Sequence, residues 1–413
     1  MGADTENELP KRKKGRRINV RTPDVMERVQ AEVEDHYRST VVEKLRDRGG
    51  ILTVGNTTVR LAKQFGFCYG VERAIDLAYA ARRVFADRKI YLIGEIIHNP
   101  EVNRQLTEMG IESIPADAPD SLLDGLGDDD VVIIPAFGAE LRLMDRLEAQ
   151  GCSMVDTTCG DVMSVWKRVR KYAREGVTSI IHGKADHEET RATSSRALGQ
   201  GDGHYLVILT LEQCDVLCDY IVNGGDPAQF LERLGADHSD GFDPESHLRK
   251  VGVANQTTML KGETEELQRR IAAAIEKRDG NGDRFQYFDT ICGATQERQD
   301  ALYEMLRSPM DALLVVGGYN SSNTTHLVEI GEKEIPSFFI RDAGCLESLE
   351  QIVHFDISLR EEVNTYSGDL LDLDKRVTVG VTAGASCPNN LIEETVLRVF
   401  ELRGCPRTEV LAS

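Results

Sequence analysis

Three cysteines stand in the same local setting, and their chemistry points to a metal. Cys68, Cys159 and Cys292 each follow an apolar, strand-like run and precede a run typical of a helix. A thiolate at a helix N-terminus is stabilised by the free N–H groups and the dipole there, so we expect a lowered thiol pKa at these positions. Three thiolates in equivalent places predict one shared metal site.

Two kinds of metal site suit three cysteines. A cubane iron–sulfur cluster usually takes four cysteine ligands, so three would leave one iron open as a Lewis acid. Zinc is the alternative, although the sequence lacks the closely spaced Cys-x2-Cys pairs typical of zinc sites. Packing as a small apolar residue is the simpler interpretation of any single cysteine. It is the one we apply to the cysteines without a supporting pattern: Cys152, Cys214, Cys218, Cys345, Cys387 and Cys405.

A polar cluster follows each of the three cysteines at a nearly constant distance. Its leading residues, His98, His187 and Ser321, come 30, 28 and 29 residues after their cysteines. Compact donors in loops at helix N-termini suit an anion, and a diphosphate would fit without a Walker-type loop, which the sequence lacks. The candidate anion-binding residues are His98, His187, Thr257, Ser321, Asn323 and Ser386.

Glu189 is the candidate proton donor. It lies two residues after His187, in a loop expected near the metal site. Burial beside a histidine and a cluster can raise the pKa of a carboxyl into the range useful for proton transfer. The alternative is a solvated loop carboxylate.

The elements that must position these residues form one unit repeated three times. Each copy has a strand leading into the cysteine and its helix, a β-rich run ending in the polar cluster, and a strand, small-residue loop and helix. Short apolar strands alternating with helices indicate α/β domains with parallel sheets, whose carboxyl strand ends gather ligands. We expect three such domains to turn these edges toward one centre. The predicted divisions are an extension at 1–57 and domains at 58–151 (Cys68), 152–285 (Cys159) and 286–413 (Cys292).

Segments outside the repeat have simpler interpretations. In the extension, a helix is predicted from about Pro23 to the glycines at 49–50, and it either folds back over the domains or mediates a dimer. The basic island at 11–17 is interpreted as a solvated tail, with a docking patch for an acidic partner as the alternative. Insertions at 201–246 and 346–375 enlarge the second and third repeats.

Composition excludes several classes of function. The chain has 413 residues and a net charge of -20, which disfavours bulk binding to nucleic acid or to an anionic membrane. No apolar run approaches the ~18 residues that span a bilayer, and no secretory signal is present. Nine cysteines, an odd number, argue against a disulfide framework. We therefore expect a cytoplasmic protein, or one of the plastid stroma if the source is a plant or alga, without nucleic-acid or membrane partners.

Taken in order, these motifs resemble the LytB family of 4-hydroxy-3-methylbut-2-enyl diphosphate reductases over roughly residues 58–403. The strings that carry the resemblance are Gly66-Phe67-Cys68 with Gly70-Val71 and Arg73-Ala74-Ile75, Glu95 with His98-Asn99, Asp156-Thr157-Thr158-Cys159, His187 with Glu189, Gln256-Thr257-Thr258, Ile291-Cys292 with Ala294-Thr295 and Arg298-Gln299, Asn320-Ser321-Ser322-Asn323 and Thr382-Ala383-Gly384-Ala385-Ser386. So many motifs in family order are highly specific together.

The resemblance implies a fold, a cofactor and a reaction. Three similar α/β domains with parallel sheets would form a pseudo-threefold trefoil around one 4Fe–4S cluster held by Cys68, Cys159 and Cys292, with the fourth iron open to the substrate hydroxyl. Two electrons and two protons would remove this hydroxyl as water through an allyl intermediate. The products would be isopentenyl and dimethylallyl diphosphates, in the last step of the non-mevalonate isoprenoid pathway.

The resemblance also implies individual roles. Glu189 and Thr257 would lie near the substrate hydroxyl, with Glu189 as the proton relay. The implied diphosphate-binding residues are His98, His187, Ser321, Asn323 and Ser386, with Ser322 beside them.

Two departures from known family patterns stand out. Phe137 lies where the best-known bacterial form has a histidine, so one diphosphate contact is absent or comes from another group. The string at 135–139, the long extension and the His-Glu-Glu-Thr string resemble the plant and cyanobacterial branch, whose expected electron donor is ferredoxin, with flavodoxin as the alternative. Gly160 and Asp161 are the second departure, because that branch usually has Pro-Trp at these positions. We expect this difference to change the packing around the cluster or the approach of the electron donor.

Two other functions compete with this interpretation. Quinolinate synthase is similar in having three domains around a three-cysteine cluster, but its motif strings do not match this chain. A non-catalytic iron–sulfur sensor would need neither diphosphate donors nor Glu189. The sequence therefore favours the reductase.

Overall fold

A computed structural model describes residues 15–412 apart from 200, 289, 349 and 366–372. The described chain is an α/β protein with three mainly parallel sheets and one small antiparallel sheet. Most of the predicted basic island, residues 11–14, lies outside the described residues.

The three large sheets share one strand order. The first sheet runs Arg16–Arg17, Ser153–Asp156, Val131–Ile134, Ile90–Ile93 and Ile111–Ile114. The second runs Phe285–Gln286, Val251–Asn255, Thr178–His182 and Tyr205–Ile208. The third runs Ile51–Val54, Thr57–Leu61, Val377–Ala383, Ala312–Val316 and Ser337–Ile340. In each sheet three strands follow one another in the same order. The strand that leads to a cysteine comes first, the strand that ends in the small-residue loop is beside it, and the strand that ends in the polar cluster comes next.

The strand that precedes each cysteine joins the sheet of the preceding repeat. Ser153–Asp156 pairs in parallel with Val131–Ile134, and Thr57–Leu61 crosses to Val377–Ala383 in the third sheet. The strand pairing therefore runs across the predicted boundaries at 58, 152 and 286, because the chain finishes one sheet and then passes through a cysteine loop to the next. The division into separate domains stays a prediction, whereas the threefold order of the sheets is a finding.

Each central strand is buried on both faces because helices cover both sides of a parallel sheet. Val131–Ile134, Thr178–His182 and Ala312–Val316 are buried along their whole length. The helices that cover the sheets are Tyr69–Val84, Pro100–Glu108, Asp120–Leu123, Leu141–Gln150, Gly160–Arg174, Glu188–Ala197, Leu211–Asn223, Pro227–Leu234, Pro244–His247, Lys261–Asp279, Gly293–Leu306, Ser322–Glu332, Asn389–Leu402 and Arg407–Ala412. None of the helices in the described ranges is long and apolar enough to cross a lipid bilayer.

The described part of the N-terminal extension folds back over the sheets, which is the first of the two alternatives for its helix; the second, a dimer, stays a prediction. Arg16–Arg17 adds an edge strand to the first sheet, and Tyr79 Oη donates to Tyr37 Oη at 3.1 Å, which joins the extension to the helix after Cys68. The single helix predicted there is wrong. It is broken into Pro23–Tyr37 and Thr40–Asp47, because Ser39 caps the second helix by accepting from the Val42 N–H at 2.9 Å.

The two predicted insertions differ in character. The segment at 201–246 contains Tyr205–Ile208, the edge strand of the second sheet, so its first part belongs to the repeat and is not inserted. The segment after 346 forms the antiparallel sheet Leu346–Ser348, Gln351–Asp356 and Glu361–Thr365, which the other two repeats lack among their described residues.

Candidate functional site

The three cysteines occupy equivalent positions in the fold. Each is the N-cap residue of the helix that follows it, in extended conformation. Each also donates its backbone N–H to a carbonyl of the small-residue loop that ends the neighbouring strand. These hydrogen bonds are Cys68 to Ala385 at 3.2 Å, Cys159 to Ala136 at 2.8 Å and Cys292 to Thr257 at 3.0 Å. The repeat seen in the sequence thus places all three thiols in the same way, in the loops where the chain passes from one sheet to the next.

One cavity of about 650 Å³ brings the predicted site residues together. All three cysteines line it, and so does every predicted polar residue: His98, His187, Glu189, Thr257, Ser321, Ser322, Asn323 and Ser386. Their roles stay predictions, but their common location is a finding that the spacing alone could only suggest.

The spread of the thiols argues against a single zinc ion. Zinc holds its sulfur ligands about 2.3 Å from the metal, so the sulfurs of one tetrahedral site lie roughly 3.8 Å apart. Among the residues that the structure describes, one trio of potential metal ligands brings its atoms within 4.8 Å of one another, and it is His98, His187 and Glu188. The sulfurs of Cys68, Cys159 and Cys292 therefore do not all lie within 4.8 Å of one another, which suits several metal ions better than one zinc ion.

The predicted lowering of the thiol pKa is wrong for two of the cysteines. Burial raises the pKa of Cys159, and it raises that of Cys292 to about 12. Hydrogen bonds from the following helix act in the opposite direction at both residues but are outweighed by the loss of water. These thiols need a cation against them to ionise, which metal binding provides.

Helix N-termini also contribute to the cavity, in a group of polar residues that we call the polar end: His98, His187, Ser321, Asn323 and Ser386. His187 and Ser321 are the N-cap residues of Glu188–Ala197 and Ser322–Glu332. His187 Nδ1 accepts from the Glu189 N–H at 3.1 Å, and burial together with the charge of His98 lowers its pKa well below the ordinary value. His187 is therefore neutral with its proton on Nε2, where it can donate to an anion.

His98 lies between two carboxylates and two rings. Its Nδ1 contacts Glu95 Oε2 at 2.9 Å, and its Nε2 is 3.6 Å from Glu188 Oε2. The ring stacks on Phe137, with centroids 4.5 Å apart, and meets His187 edge-on at 5.1 Å. Buried Nε2 has no hydrogen-bond partner among the described residues, so it is free for a ligand. Phe137, where the sequence predicted that one hydrogen-bond donor to the diphosphate is missing, supplies a stacking surface for His98.

The hydroxyl and amide groups form a connected set. Ser386 Oγ donates to the His98 carbonyl at 3.2 Å and lies 3.4 Å from Ser321 Oγ. Asn323 Oδ1 accepts from the Ala385 N–H at 2.8 Å, which fixes the orientation of its amide group. The polar end is thus held in place by hydrogen bonds between loops of different sheets.

Glu189 and Thr257 form the link between the polar end and the cysteines. Glu189 is 3% exposed, and its two carboxylate oxygens accept from the N–H and the hydroxyl of Thr257 at 2.7 and 3.1 Å. Burial raises the pKa of Glu189 to about 7, although both hydrogen bonds from Thr257 act to lower it. The carboxyl therefore exchanges protons near neutral pH, as predicted from the sequence, and the carbonyl of Thr257 contacts Cys292 on the other side.

Two buried residues hold parts of the site together but were not assigned roles from the sequence. Thr295 Oγ1 lies 2.9 Å from Cys292 Sγ and accepts from Asn323 Nδ2 at 3.4 Å, so it joins a thiol to the polar end. Gln256 Nε2 donates to Ser322 Oγ at 3.0 Å, which ties the second sheet to the third. A threonine three residues after the cysteine, facing back along the first helical turn, was the available sequence signal for Thr295.

Comparisons with known proteins agree with this architecture. The LytB protein family matches residues 59–400. The chain is 47% identical over 384 residues to the 4-hydroxy-3-methylbut-2-enyl diphosphate reductase of Gloeobacter violaceus, covering 91% of this chain and 90% of that protein. It is 45% identical to the reductase of the same name from a Synechococcus species, covering 91% and 93%.

Solved structures show the same fold. A structure of (E)-4-hydroxy-3-methylbut-2-enyl diphosphate reductase, described as the terminal enzyme of the non-mevalonate pathway, superimposes with a TM-score of 0.51 at 26% identity, covering 83% of this chain and 99% of the other. The E-1-hydroxy-2-methyl-but-2-enyl-4-diphosphate reductase from Plasmodium falciparum gives a TM-score of 0.58 at 21% identity, with 82% and 86% coverage, and supports the fold alone. The chain therefore belongs to the LytB protein family.

Proposed function

We propose that this protein reductively removes the hydroxyl group of (E)-4-hydroxy-3-methylbut-2-enyl diphosphate, giving isopentenyl and dimethylallyl diphosphates. The proposal depends on one observation above all: a single cavity holds three helix-capping cysteines, a set of anion donors and a buried carboxyl. Reduction of an allylic alcohol needs an electron source, an anchor for the phosphates and an acid, and the cavity has a candidate for each. Family membership and the relatives of that name support the same reaction.

The cofactor we assign to the cysteines is one 4Fe–4S cluster. Cys68, Cys159 and Cys292 suit it because their thiols come from three loops around one cavity, and the three sulfurs do not all lie within 4.8 Å of one another, as the ligands of one zinc ion would. Burial of Cys292 adds to the fit, since a coordinating thiol gives up its proton to the metal. When bound, the cluster would supply electrons and, at the iron without a cysteine, a Lewis acid.

The diphosphate is assigned to the polar end of the cavity. His187 offers its Nε2 proton there, and Ser321 and Ser386 offer hydroxyl groups beside a helix N-terminus. His98 Nε2, buried and without a hydrogen-bond partner in the described chain, gains one from a phosphate oxygen. Phe137 cannot donate, so it holds His98 by stacking in place of binding the phosphate itself.

Glu189 is assigned the transfer of a proton to the leaving oxygen. In the overall reaction two electrons and two protons enter, the allylic C–O bond breaks, one C–H bond forms and water leaves. With a pKa of about 7, Glu189 can give a proton at neutral pH and regain it from solvent. Thr257 fixes both carboxylate oxygens, which keeps the acid oriented toward the cysteine end of the cavity.

We assign electron delivery to ferredoxin, with flavodoxin as the alternative. The support is the resemblance to the cyanobacterial branch and the geometry beside Cys68, where the next residue, Tyr69, is 74% exposed at the rim of the cavity. A small carrier could therefore approach the cluster closely. The cytoplasmic or stromal location stays a prediction from the sequence.

The proposal is tested with protein reconstituted anaerobically with iron and sulfide. We expect it to consume the hydroxylated diphosphate when dithionite and a viologen mediator are supplied, and to release both isomeric products. The same protein without reductant is the control. Protein that holds a full complement of cluster iron yet leaves the substrate untouched would rule out the reductase.

A further inference from the structure

Arginines link each cysteine helix to the loop before the next cysteine. Arg73 lies on the helix that follows Cys68, and its Nη1 donates to the carbonyls of Thr157 and Thr158, both at 3.1 Å. Those two residues immediately precede Cys159. The guanidinium of Arg73 therefore ties the loop before Cys159 to the helix that follows Cys68.

The second link repeats this arrangement by stacking. Arg168 lies on the helix that follows Cys159, and its guanidinium is 3.8 Å from the ring centre of Phe288. Phe288 lies four residues before Cys292. A guanidinium over an aromatic face is attracted by the ring quadrupole, so this contact connects the second thiol's helix to the third thiol's loop.

The third link closes the ring and is the most buried. Arg298 lies on the helix that follows Cys292 and is 4% exposed. Its Nη2 and Nε donate to the carbonyl of Gly66 at 2.5 and 3.2 Å, and its Nη1 donates to the carbonyl of Ala294 at 2.8 Å. Gly66 stands two residues before Cys68, so the cycle returns to the first cysteine.

The charge of Arg298 lacks the usual acidic partner. Within the described chain its hydrogen bonds go to neutral carbonyls, and no carboxylate lies within ion-pair distance. Burial lowers the pKa of Arg298, and the neighbours that would act in the opposite direction when ionised are Cys68 and Cys292, followed by Glu297 and Glu72. A buried cation needs a counter-charge, and ionised cysteines around a metal cluster would add one to the more distant carboxylates of Glu297 and Glu72.

We propose that Arg73, Arg168 and Arg298 form a closed ring that holds the three cysteine loops at the spacing of the cluster, and that Arg298 places a positive charge against the cluster and raises its reduction potential. The inference depends on the proposed cofactor, because the charge acts on a cluster held by these cysteines. Charge near an iron–sulfur cluster is one of the main determinants of its potential. Arg298, which lines the cavity beside Cys292, is thus assigned a positioning and tuning role.

The test compares four variants of the full chain after anaerobic reconstitution, one of which is Arg73→Gln. Arg298→Gln removes the charge, Arg298→Lys keeps the charge but loses the planar fork, and Arg174→Gln is the control. Arg174 is exposed, on the same helix as Arg168, and fifteen residues beyond Cys159, which is roughly 22 Å along the helix axis. Iron content, the rate of iron loss to a chelator and the midpoint potential are measured, so no result depends on turnover.

We expect Arg298→Gln to lower the equilibrium constant for one-electron reduction at least tenfold, which is 59 mV or more in midpoint potential. Arg298→Lys should keep most of the potential but lose iron to the chelator faster than wild type, as should Arg73→Gln, which cuts a different link. Arg174→Gln should match wild type in both measurements. If Arg298→Gln takes up no cluster, the positional role is supported, and the role of charge is decided by whether Arg298→Lys keeps the wild-type potential.

Two results would overturn the inference. One is an unchanged potential in Arg298→Gln that still holds its cluster. The other is iron retention equal to wild type in both Arg298→Lys and Arg73→Gln. Wild-type protein that takes up no cluster at all would instead remove the proposed cofactor, and iron content distinguishes that failure from the other two.

Discussion

Replacing Glu189 by glutamine removes a titrating proton while keeping the side chain in place. Glutamine has the same shape, its Oε1 can accept from the Thr257 N–H, and its Nε2 can donate to the Thr257 hydroxyl, so both contacts of the carboxyl are preserved. We therefore expect Glu189→Gln to fold and to take up its cluster as wild type does. What it loses is the acid.

The structure gives the size of the effect. A pKa raised from 4.5 to about 7 corresponds to about 3 kcal/mol against ionisation of Glu189. A carboxyl with a raised folded-state pKa stabilises the protein fully below pH 4.5, and that contribution is lost as the pH rises to about 7. Between pH 4.5 and about 7 the free energy of unfolding of wild type should therefore fall by up to about 3 kcal/mol more than that of the Glu189→Gln variant.

The raised pKa of Glu189 also predicts how kcat/KM depends on pH. Because the protonated carboxyl is the active form, kcat/KM of wild type should be level below pH 7 and fall about tenfold per pH unit above it. Loss of a general acid typically costs a factor of about 100 to 10,000, so we expect a loss of that order in Glu189→Gln, without the fall above pH 7.

The assay follows reduced viologen anaerobically from pH 6 to 9, with cluster iron measured in each sample. Asp186→Asn is the matched control, since Asp186 is an exposed carboxylate of the same loop that does not line the cavity. It should retain wild-type rates and the wild-type pH profile. Turnover of Glu189→Gln within a few-fold of wild type at full cluster content would refute Glu189 as the acid.

Three further predictions concern the scaffold, the anchor and the metal ligands. Gly138 has a φ of +81° and a side chain there would collide with Trp166, so Gly138→Ala should lower the free energy of unfolding by about 1–3 kcal/mol in urea titrations; an unchanged midpoint would contradict this. Ser386→Ala, which removes one hydroxyl from the polar end, should raise KM about tenfold or more with little change in kcat, and the reverse pattern in steady-state kinetics would count against a diphosphate contact. Cys292→Ser should abolish cluster iron, whereas Cys218→Ser, outside the cavity, should keep it; equal iron in both would exclude Cys292 as a ligand.

Much of the fold could be predicted because the repeat leaves local patterns. Each strand, loop and helix around Cys68, Cys159 and Cys292 has its own apolar run and its own cap, so the three copies are visible in the sequence. The sheet that each strand joins is not local information. Thr57–Leu61 finds its partner in Val377–Ala383, more than 300 residues away, and nothing in either segment specifies this pairing.

Helix ends in the extension show a similar limit. A single helix was expected from Pro23 because the residues on both sides of Ser39 favour helix, and one serine can either lie within a helix or cap a new one. Packing decides between these states. Residues of Thr40–Asp47 join the core of the third sheet, whereas Pro23–Tyr37 packs with the first, so the chain must turn between them.

The membership of the site was predictable, but its electrostatics were only partly so. Residue type and spacing were enough to select side chains that the fold brings to one cavity. The raised pKa of Glu189 could be predicted because burial always raises the pKa of a carboxyl. The thiol pKa of Cys292 was predicted with the wrong sign, since burial and the helix N-terminus oppose each other there and only the packed structure shows that burial is the larger effect.

The most direct test of the central claim is a Mössbauer spectrum of the reconstituted, iron-57-labelled protein with and without the hydroxylated diphosphate. A cluster held by Cys68, Cys159 and Cys292 alone predicts one iron subsite distinct from the other three, and a change in the parameters of that subsite when the substrate is added. Four equivalent iron sites, or a distinct subsite that the substrate leaves unchanged, would contradict the account.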